Sequence, residues 1–292
     1  MFLNNLYLSM FQINWKLKAL LYKIFGFFQL KTIFYLIQKY VTQRSKIIIN
    51  EIDKGWIHHA NSIKKNDVKY LLEVGAGKSL EQNIYISYKF NNSIEQTTID
   101  INEMIDFDLL NQASEKISKI LEVENKGRIN NLKELKKFYN IEYKAPCLLN
   151  ELRNDNKKFD ICISTTTLEH FTVDNLKEYL MDLKYILSKN ILISSVIDYS
   201  DHYSHTDKNI TPLNFLKYSK MEWEKFNNSY LFQNRLRHQD YIKIIEEGGY
   251  KIKEILKEQP LKAPKKISKE FDSENEETYI GSAYLLFETK VF

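Results

Sequence analysis

Cysteine is scarce, and so are proline and glycine. The 292 residues include 2 cysteines, 4 prolines and 8 glycines. Two cysteines, Cys147 and Cys162, fit neither a disulfide framework nor a metal site, so we expect a reducing, cytoplasmic compartment. Cys162 lies in an apolar run and is expected to be a buried thiol. With 43% hydrophobic and 27% charged residues, the composition excludes a disordered chain.

The chain also lacks a strong excess of one charge and a long uncharged apolar run. Its 42 basic and 38 acidic residues leave a net charge of +4. Because the basic residues are spread along the chain, we expect no nucleic-acid partner. Lys16, Lys18, Lys23 and Lys31 interrupt every early window long enough to span a bilayer, which argues against a transmembrane helix. A signal peptide is not expected, because neither basic residues at the start nor a small-residue cleavage site is found.

Residues 1–60 are predicted to form an N-terminal helical extension. Apolar residues recur there at the spacing of one helix face: Leu17, Leu20, Leu21, Ile24, Phe27 and Phe28. We expect this face to pack on the main domain or on a partner subunit, which leaves a homo-oligomer open. The alternative is peripheral contact with the inner face of the membrane, with lysines toward the lipid headgroups.

Residues 61–292 alternate between apolar strands and amphipathic helices. Strands are predicted at 70–74, 93–101, 140–145, 159–164, 190–197, 250–256 and 279–287, with a charged, helix-like insertion at about 102–137. This alternation predicts an α/β fold with a Rossmann-like, doubly wound, mostly parallel seven-stranded sheet. In that architecture ligands bind at the carboxyl ends of the strands.

One loop holds two of the scarce glycines. The stretch YLLEVGAGKSL at 70–80 contains GAGKS, which looks like the end of a P-loop. A P-loop needs a glycine five positions before Gly77, where Leu72 stands inside the strand, so a phosphate-binding loop is rejected. What remains is an acid-x-Gly-x-Gly pattern at Glu73, Gly75 and Gly77. Glycine there permits a tight turn and close approach of a ligand, and the acid would repel a pyrophosphate.

At these residues the sequence resembles the class I S-adenosylmethionine-dependent methyltransferases. The resemblance runs from about residue 68 to residue 197. Glu73-Val-Gly75-Ala-Gly77 is similar to the family's first motif, and Asp100 to the acid that accepts hydrogen bonds from both ribose hydroxyls. The segment FDICIS at 159–164, followed by Leu168-Glu169-His170, is similar to the segment beside the methionine part of the cofactor. The resemblance implies S-adenosylmethionine as cofactor, with these binding residues: Glu73, Gly75, Gly77, Asp100, Ser164, Leu168, Glu169 and His170.

Structural alternatives exist for several of these residues. Asp100 could cap a loop, Glu169 could cap the next helix, and His170 could be a structural hydrogen-bonding residue. The chain also departs from the family, because Pro146 and Cys147 stand where an adenine-contacting acid is expected. The adenine contact is therefore left unassigned.

The segments after the fourth and fifth strands bear on the acceptor. Methylation of nucleobase amines in this family uses Asp/Asn-Pro-Pro-aromatic after the fourth strand, and the STTT at 164–167 lacks both proline and an aromatic residue. After the fifth strand, His202 and His205 are candidates for a general base poised by a neighbouring carboxylate. His238 joins them if it folds back.

Two alternatives to a general base stay open for His202 and His205. They could belong to a polar loop that packs locally. They could also bind a divalent metal together with Asp201 or Asp207. We do not favour the metal, and no metal ligand is predicted.

A second polar cluster, QNRLRHQD at 233–240, follows an aromatic stretch. Aromatic faces beside Asn, Arg and His side chains suit a sugar-like polyol. The predicted substrate-binding residues are therefore Tyr203, Asn234, Arg235 and Arg237. The alternative is that the arginines brace the carboxylates of nearby loops.

These patterns loosely resemble methyltransferases encoded with bacterial surface-polysaccharide pathways. We expect an S-adenosylmethionine-dependent methyltransferase that methylates a hydroxyl of a sugar or glycan precursor, by in-line transfer with a histidine base. The alternatives are a methyltransferase for a lipid or another small molecule, and a non-catalytic, nucleoside-binding scaffold subunit.

Overall fold

The computed structural model describes residues 13–28, 30, 47–154 and 157–290, without the side chains of residues 189–191. The parts of the predicted N-terminal extension at residues 1–12, 29 and 31–46 lie outside the described residues.

Helices and strands alternate through most of the described chain. The helices are α1 (Trp15–Phe27), α2 (Lys54–Lys65), α3 (Glu81–Lys89), α4 (Phe107–Leu121), α5 (Leu132–Tyr139), α6 (Val173–Ile186), the short α7 (Lys220–Trp223) and α8 (His238–Glu247). The strands are β1 (Tyr70–Val74), β2 (Glu95–Ile99), β3 (Ile141–Lys144), β4 (Phe159–Thr165), β5 (Leu187–Asp198), β6 (Tyr250–Lys257) and β7 (Ser282–Thr289). Each strand lies where the alternation of the sequence predicts one.

The seven strands form one sheet in the order β3-β2-β1-β4-β5-β7-β6. Strands β1 to β5 pair in parallel, and β7 runs antiparallel to both β5 and β6. This confirms the predicted Rossmann-like, doubly wound, mostly parallel sheet. The chain passes from β1 outward to β3 and then returns to β4 on the other side of β1. The switch point, where such folds bind ligands, therefore lies between the carboxyl ends of β1 and β4.

The sheet has a hydrophobic core on each face. Successive strand residues point to opposite faces, so Leu71 joins one core with Ile161 while Leu72 joins the other with Cys162. All four side chains are fully buried. The buried thiol predicted at Cys162 is confirmed. Strands covered on both faces place their functional residues in the loops at their ends.

Helix α1 packs by a different face from the predicted one. Trp15 and Lys18 are buried, and Lys18 Nζ donates to Thr206 Oγ1 at 2.9 Å. The predicted apolar face is largely exposed instead, with Phe27 82% exposed and Leu20 55% exposed. Lys18 thus points inward and not toward lipid headgroups.

An aromatic pocket explains this orientation of α1. The Trp15 ring lies 4.5 Å from that of Phe226 and 5.6 Å from that of Tyr203, measured between centroids. A buried tryptophan contributes a large apolar area and packs in specific geometry against other aromatic rings. Hydrophobic periodicity alone could not reveal this.

Helix α2 crosses the boundary predicted at residue 60. Its Trp56, Ala60 and Ile63 belong to the core on one face of the sheet. The helix is therefore part of the main domain. None of the helices in the described part of the chain is long and apolar enough to span a membrane.

Candidate functional site

The loop after β1 turns sharply at two glycines. Gly75 has φ +89° and Gly77 has φ +67°, values that side chains strain to adopt. The N–H groups of Gly75 and Ala76 donate to the Ile99 carbonyl of β2. A Cβ on Gly75 would lie 2.2 Å from Thr167 Oγ1, so the loops after β1 and β4 touch at this residue. A Cβ on Gly77 would meet nothing within 4 Å, so the backbone there faces open space.

Asp100 follows β2 and faces this loop. Its Oδ2 accepts from the Gly77 N–H at 3.2 Å, and its Oδ1 accepts from the Asn102 N–H at 3.0 Å. The Cys147 N–H, in the loop after β3, anchors the Asp100 carbonyl at 2.8 Å. The loop-capping alternative is therefore confirmed, but a carboxylate with two hydrogen bonds keeps further lone pairs for ligand hydroxyls. Burial raises the pKa of Asp100.

Glu73 supports the glycine loop from within. Its Oε2 accepts from Thr98 Oγ1 at 2.8 Å, and its Oε1 accepts from the Gln82 amide. Burial raises the pKa of Glu73 to about 7. Both oxygens are bonded inside the protein and the residue is 2% exposed, so Glu73 holds the loop in position, and a cofactor contact of Glu73 stays a prediction.

Gln82 also belongs to a buried polar chain that the sequence did not indicate. Thr165 Oγ1 donates to Gln82 Oε1 at 2.7 Å, and His59 Nε2 lies 3.0 Å from the same hydroxyl. Burial lowers the pKa of His59 to about 3, so its ring is neutral. This row of hydrogen-bonded side chains connects helices α2 and α3 with strand β4 behind the switch point.

Ser164 and Leu168 are not placed to contact a cofactor through their side chains. Ser164 is fully buried and donates to Ser195 Oγ at 2.9 Å. The Leu168 side chain is 1% exposed and belongs to the core. Both predictions followed the fourth-strand resemblance, which cannot distinguish inward-facing from outward-facing positions.

Histidines and carboxylates converge where β4 and β5 end. Glu169 and His170 lie in a short 3-10 turn after β4, and His202 and His205 lie in another after β5. His202 Nε2 lies 3.3 Å from Asp198 Oδ2 and 3.9 Å from Glu169 Oε1. His205 Nε2 lies 3.9 Å from Asp198 Oδ2. The His170 and His202 rings are in edge contact, with centroids 5.1 Å apart. We call these five residues the β4–β5 cluster.

The two carboxyl groups of this cluster differ in their environments. Burial and the neighbouring charge of Asp198 hold the pKa of Glu169 well above its usual range. Burial acts on Asp198 in the same direction, but the hydrogen bond and charge of His202 keep the pKa of Asp198 below its ordinary value. Asp198 ends β5 and was not among the predicted site residues. Its position directly before the histidine loop was the signal that could have identified it.

The metal alternative with Asp201 or Asp207 is wrong. Asp201 accepts from the Tyr203 N–H and from Asn214 Nδ2, both at 2.9 Å. Asp207 accepts from the Trp15 N–H at 2.9 Å. Their oxygens organise the loop after β5 and anchor α1.

His238 and Tyr203 do not face the β4–β5 cluster. His238 is 1% exposed, and its Nδ1 lies 3.1 Å from the hydroxyl of Tyr199. The Tyr203 hydroxyl donates to the Phe226 carbonyl at 2.9 Å, and its ring packs against Trp15. Both side chains are buried and bonded within the protein, so the structure gives no support to their predicted roles as a base and a substrate-binding residue.

The predicted sugar-binding residues Asn234, Arg235 and Arg237 make hydrogen bonds within the protein. Asn234 Nδ2 donates to the carbonyls of Leu168 and Phe171, and its N–H donates to the Glu169 carbonyl at 2.9 Å. Asn234 therefore positions the turn that carries Glu169 and His170. The sequence could not show this, since the partners lie more than 60 residues away.

The two arginines act as braces. Arg235 donates to the Tyr218 carbonyl at 2.6 Å. Arg237 is 2% exposed and donates to the carbonyls of Tyr199, Thr278 and Ile280 at 2.6–2.8 Å. The bracing alternative is thus the correct one, although most of the partners are backbone carbonyls and not carboxylates.

The sequence matches no protein-family model and no curated protein. Solved structures that resemble the fold include S-adenosylmethionine-dependent methyltransferases. One such enzyme from Clostridium acetobutylicum shares 12% identity at a TM-score of 0.44, over 89% of this chain and 98% of that chain. Magnesium protoporphyrin IX methyltransferase from Synechocystis, with bound SAH, shares 14% identity at a TM-score of 0.43, over 94% of this chain and 99% of that chain.

A proposed O-methyltransferase from Nostoc punctiforme shares 13% identity at a TM-score of 0.45. The similarity covers 81% of this chain and 55% of that chain, so the chain spans about half the length of the Nostoc protein. Identities this low and scores below 0.5 assign no activity to the chain.

Proposed function

We propose that the protein is an S-adenosylmethionine-dependent methyltransferase. The observation that carries this proposal is the meeting of the Gly75–Gly77 turn with the Asp100 carboxylate beside the switch point of the sheet. The open space at Gly77 gives a ligand access to the backbone. The remaining lone pairs of Asp100 suit the two hydroxyls of a ribose. The residues present therefore fit the nucleoside part of this cofactor.

When bound, S-adenosylmethionine supplies a methyl group on a positively charged sulfur, which leaves as a neutral thioether. The chain has to align an acceptor with that methyl group and remove a proton from a hydroxyl. His205 is the proposed general base. Its side chain is 34% exposed, against 11% for His202, and both rings lie beside Asp198. A carboxylate next to an imidazole holds the ring and stabilises its protonated form.

A hydroxyl compound is the proposed acceptor, and sugars and glycan precursors are the first class to test. The predicted sugar-binding residues make hydrogen bonds within the protein, so the choice of a hydroxyl acceptor rests on the histidine loop after β5 alone. Lipids with hydroxylated headgroups and other small molecules form the second class.

The test is mass spectrometry of an acceptor panel incubated with isotope-labelled S-adenosylmethionine. We expect a labelled methyl group on a hydroxyl acceptor, and a loss of turnover in His205→Ala without loss of cofactor binding. If His205→Ala and His202→Ala both keep full turnover, the base assignment is wrong. Transfer to amines only would overturn the hydroxyl acceptor.

A further inference from the structure

The strongest unexplained feature of the described chain is the buried carboxylate of Glu169. The residue is 1% exposed, and neither of its side-chain oxygens has a hydrogen-bond partner among the described residues. His202 Nε2 is buried as well, and it lies 3.9 Å from Glu169 Oε1 and 3.3 Å from Asp198 Oδ2. Leaving a buried polar group unpaired costs about 1–3 kcal/mol, and more for a charged one. Such groups call for a partner that belongs in the site.

The surroundings of Glu169 are those of a cation site. A carboxylate oxygen of Glu169 and one ring nitrogen each of His170 and His202 lie within 4.8 Å of one another. Ligands at the usual 2.0–2.2 Å from a divalent ion lie roughly 3–4 Å apart. A shift of about 1 Å would therefore close the three residues around one ion. Asp198 Oδ2 lies 3.3 Å from His202 Nε2 and is placed to be a fourth metal ligand.

His170 is held in the orientation that a metal ligand needs. Its Nδ1 lies 2.7 Å from the carbonyl oxygen of Phe232. A carbonyl only accepts, so Nδ1 carries the proton and Nε2 keeps its lone pair. Histidine ligands in metal sites are fixed by this type of bond to their other nitrogen. Asn234 adds support, because its backbone N–H and side-chain amide hold the turn that carries Glu169 and His170.

We propose that Glu169, His170 and His202, with Asp198 beside them, bind one divalent transition-metal ion. Two imidazole nitrogens and one or two carboxylates favour Zn²⁺ over Mg²⁺ and Ca²⁺, which prefer all-oxygen sites. The charge also fits, since two carboxylates would balance a dication in a buried site. The ion would lie beside the exposed ring of His205, where it could hold an acceptor hydroxyl. That use in methyl transfer rests on the proposed function, whereas the binding of the ion does not.

Metal binding can be measured without any methyl acceptor. Tag-free protein is stripped with a chelator, and its Zn²⁺ affinity is measured by competition with a chromophoric chelator. We expect one ion per chain and a rise in melting temperature on loading. In Glu169→Gln and in His202→Asn the affinity should fall at least 10–100-fold, a change already seen when outer-shell partners of metal ligands are removed.

His58→Asn is the matched control, because it removes a half-buried imidazole of α2 outside the β4–β5 cluster. It should bind Zn²⁺ like the wild type. The metal-free stability of Glu169→Gln separates a ligand from a residue needed for folding. Because the Glu169 carboxyl group has no hydrogen-bond partner among the described residues, its replacement by an amide should leave the metal-free protein at least as stable as the wild type. Absence of Zn²⁺ binding, equal affinity in all three variants, or binding of Mg²⁺ in place of Zn²⁺ would each overturn the site.

Discussion

Replacing Gly75 with alanine tests the contact between the loops after β1 and β4. At φ +89° an L-residue costs about 1–2 kcal/mol relative to glycine. The new Cβ would also lie 2.2, 2.6 and 3.0 Å from the Oγ1, Cγ2 and Cβ atoms of Thr167. Rotating the threonine cannot relieve the contact with its own Cβ, so overpacking adds about 1–3 kcal/mol. We expect Gly75→Ala to lower the free energy of unfolding by about 2–5 kcal/mol.

Gly77→Ala is the matched control, because it changes φ strain alone. Its φ is +67° and its Cβ would meet nothing within 4 Å, so the expected cost is about 1–2 kcal/mol. Adding Thr167→Ala to Gly75→Ala should recover much of the loss, with a coupling energy of about 1–3 kcal/mol. Urea unfolding followed by tryptophan fluorescence gives the free energies of the wild type, of the single variants Gly75→Ala, Gly77→Ala and Thr167→Ala, and of the double variant. If Gly75→Ala costs no more than Gly77→Ala, or if the coupling is near zero, the described loop contact is wrong.

Three further predictions concern stability and surface contact. Between pH 4.5 and about 7, Glu73 binds more protons in the folded state than in the unfolded state, so the free energy of unfolding should fall by up to about 3 kcal/mol as the pH rises. In urea titrations Glu73→Gln should flatten this pH dependence, and an unchanged dependence would contradict the raised pKa. Arg237→Met leaves three backbone carbonyls without their charged donor, so thermal unfolding should show a free energy of unfolding lower by about 3 kcal/mol or more. A decrease below about 1 kcal/mol would show that the hydrogen bonds of Arg237 contribute little to stability. If the exposed face of α1 contacts membranes, Leu20→Glu combined with Phe27→Glu should reduce co-sedimentation with anionic vesicles, while Met221→Glu, at another exposed apolar position, should not. Equal sedimentation of the wild type and both variants would remove the alternative of membrane contact.

Strands could be predicted from the sequence because each one carries its own signal. Short apolar runs bounded by polar loops mark β1, β4 and β5, and burial on both faces makes these runs nearly continuous. The glycine turn was equally local, since Gly75 and Gly77 follow a strand within three residues. The doubly wound, mostly parallel arrangement followed from general rules for alternating strands and helices, whereas the order of the strands came from the structure.

The polar residues of the site could not be assigned in the same way, since their roles depend on distant partners. Arg237 looked like a recognition residue because its partners at 278 and 280 lie about 40 residues further along the chain. Glu169 and Asp198 meet only because β4 and β5 are neighbours in the sheet. Thr166 adopts φ +47°, an uncommon value for a β-branched residue, and no sequence signal marks it. Such backbone strain occurs preferentially at functional sites.

The proposed cofactor site is tested most directly by calorimetric titration with S-adenosylhomocysteine. We predict binding of one molecule per chain. Asp100→Ala should weaken it roughly ten- to a hundred-fold, because hydrogen bonds to a charged group contribute about 1.5–3 kcal/mol. Glu103→Gln, which removes an exposed acid three residues away, should bind like the wild type. Absence of binding to the wild-type protein, or equal affinity in Asp100→Ala, would contradict the methyltransferase assignment of this loop.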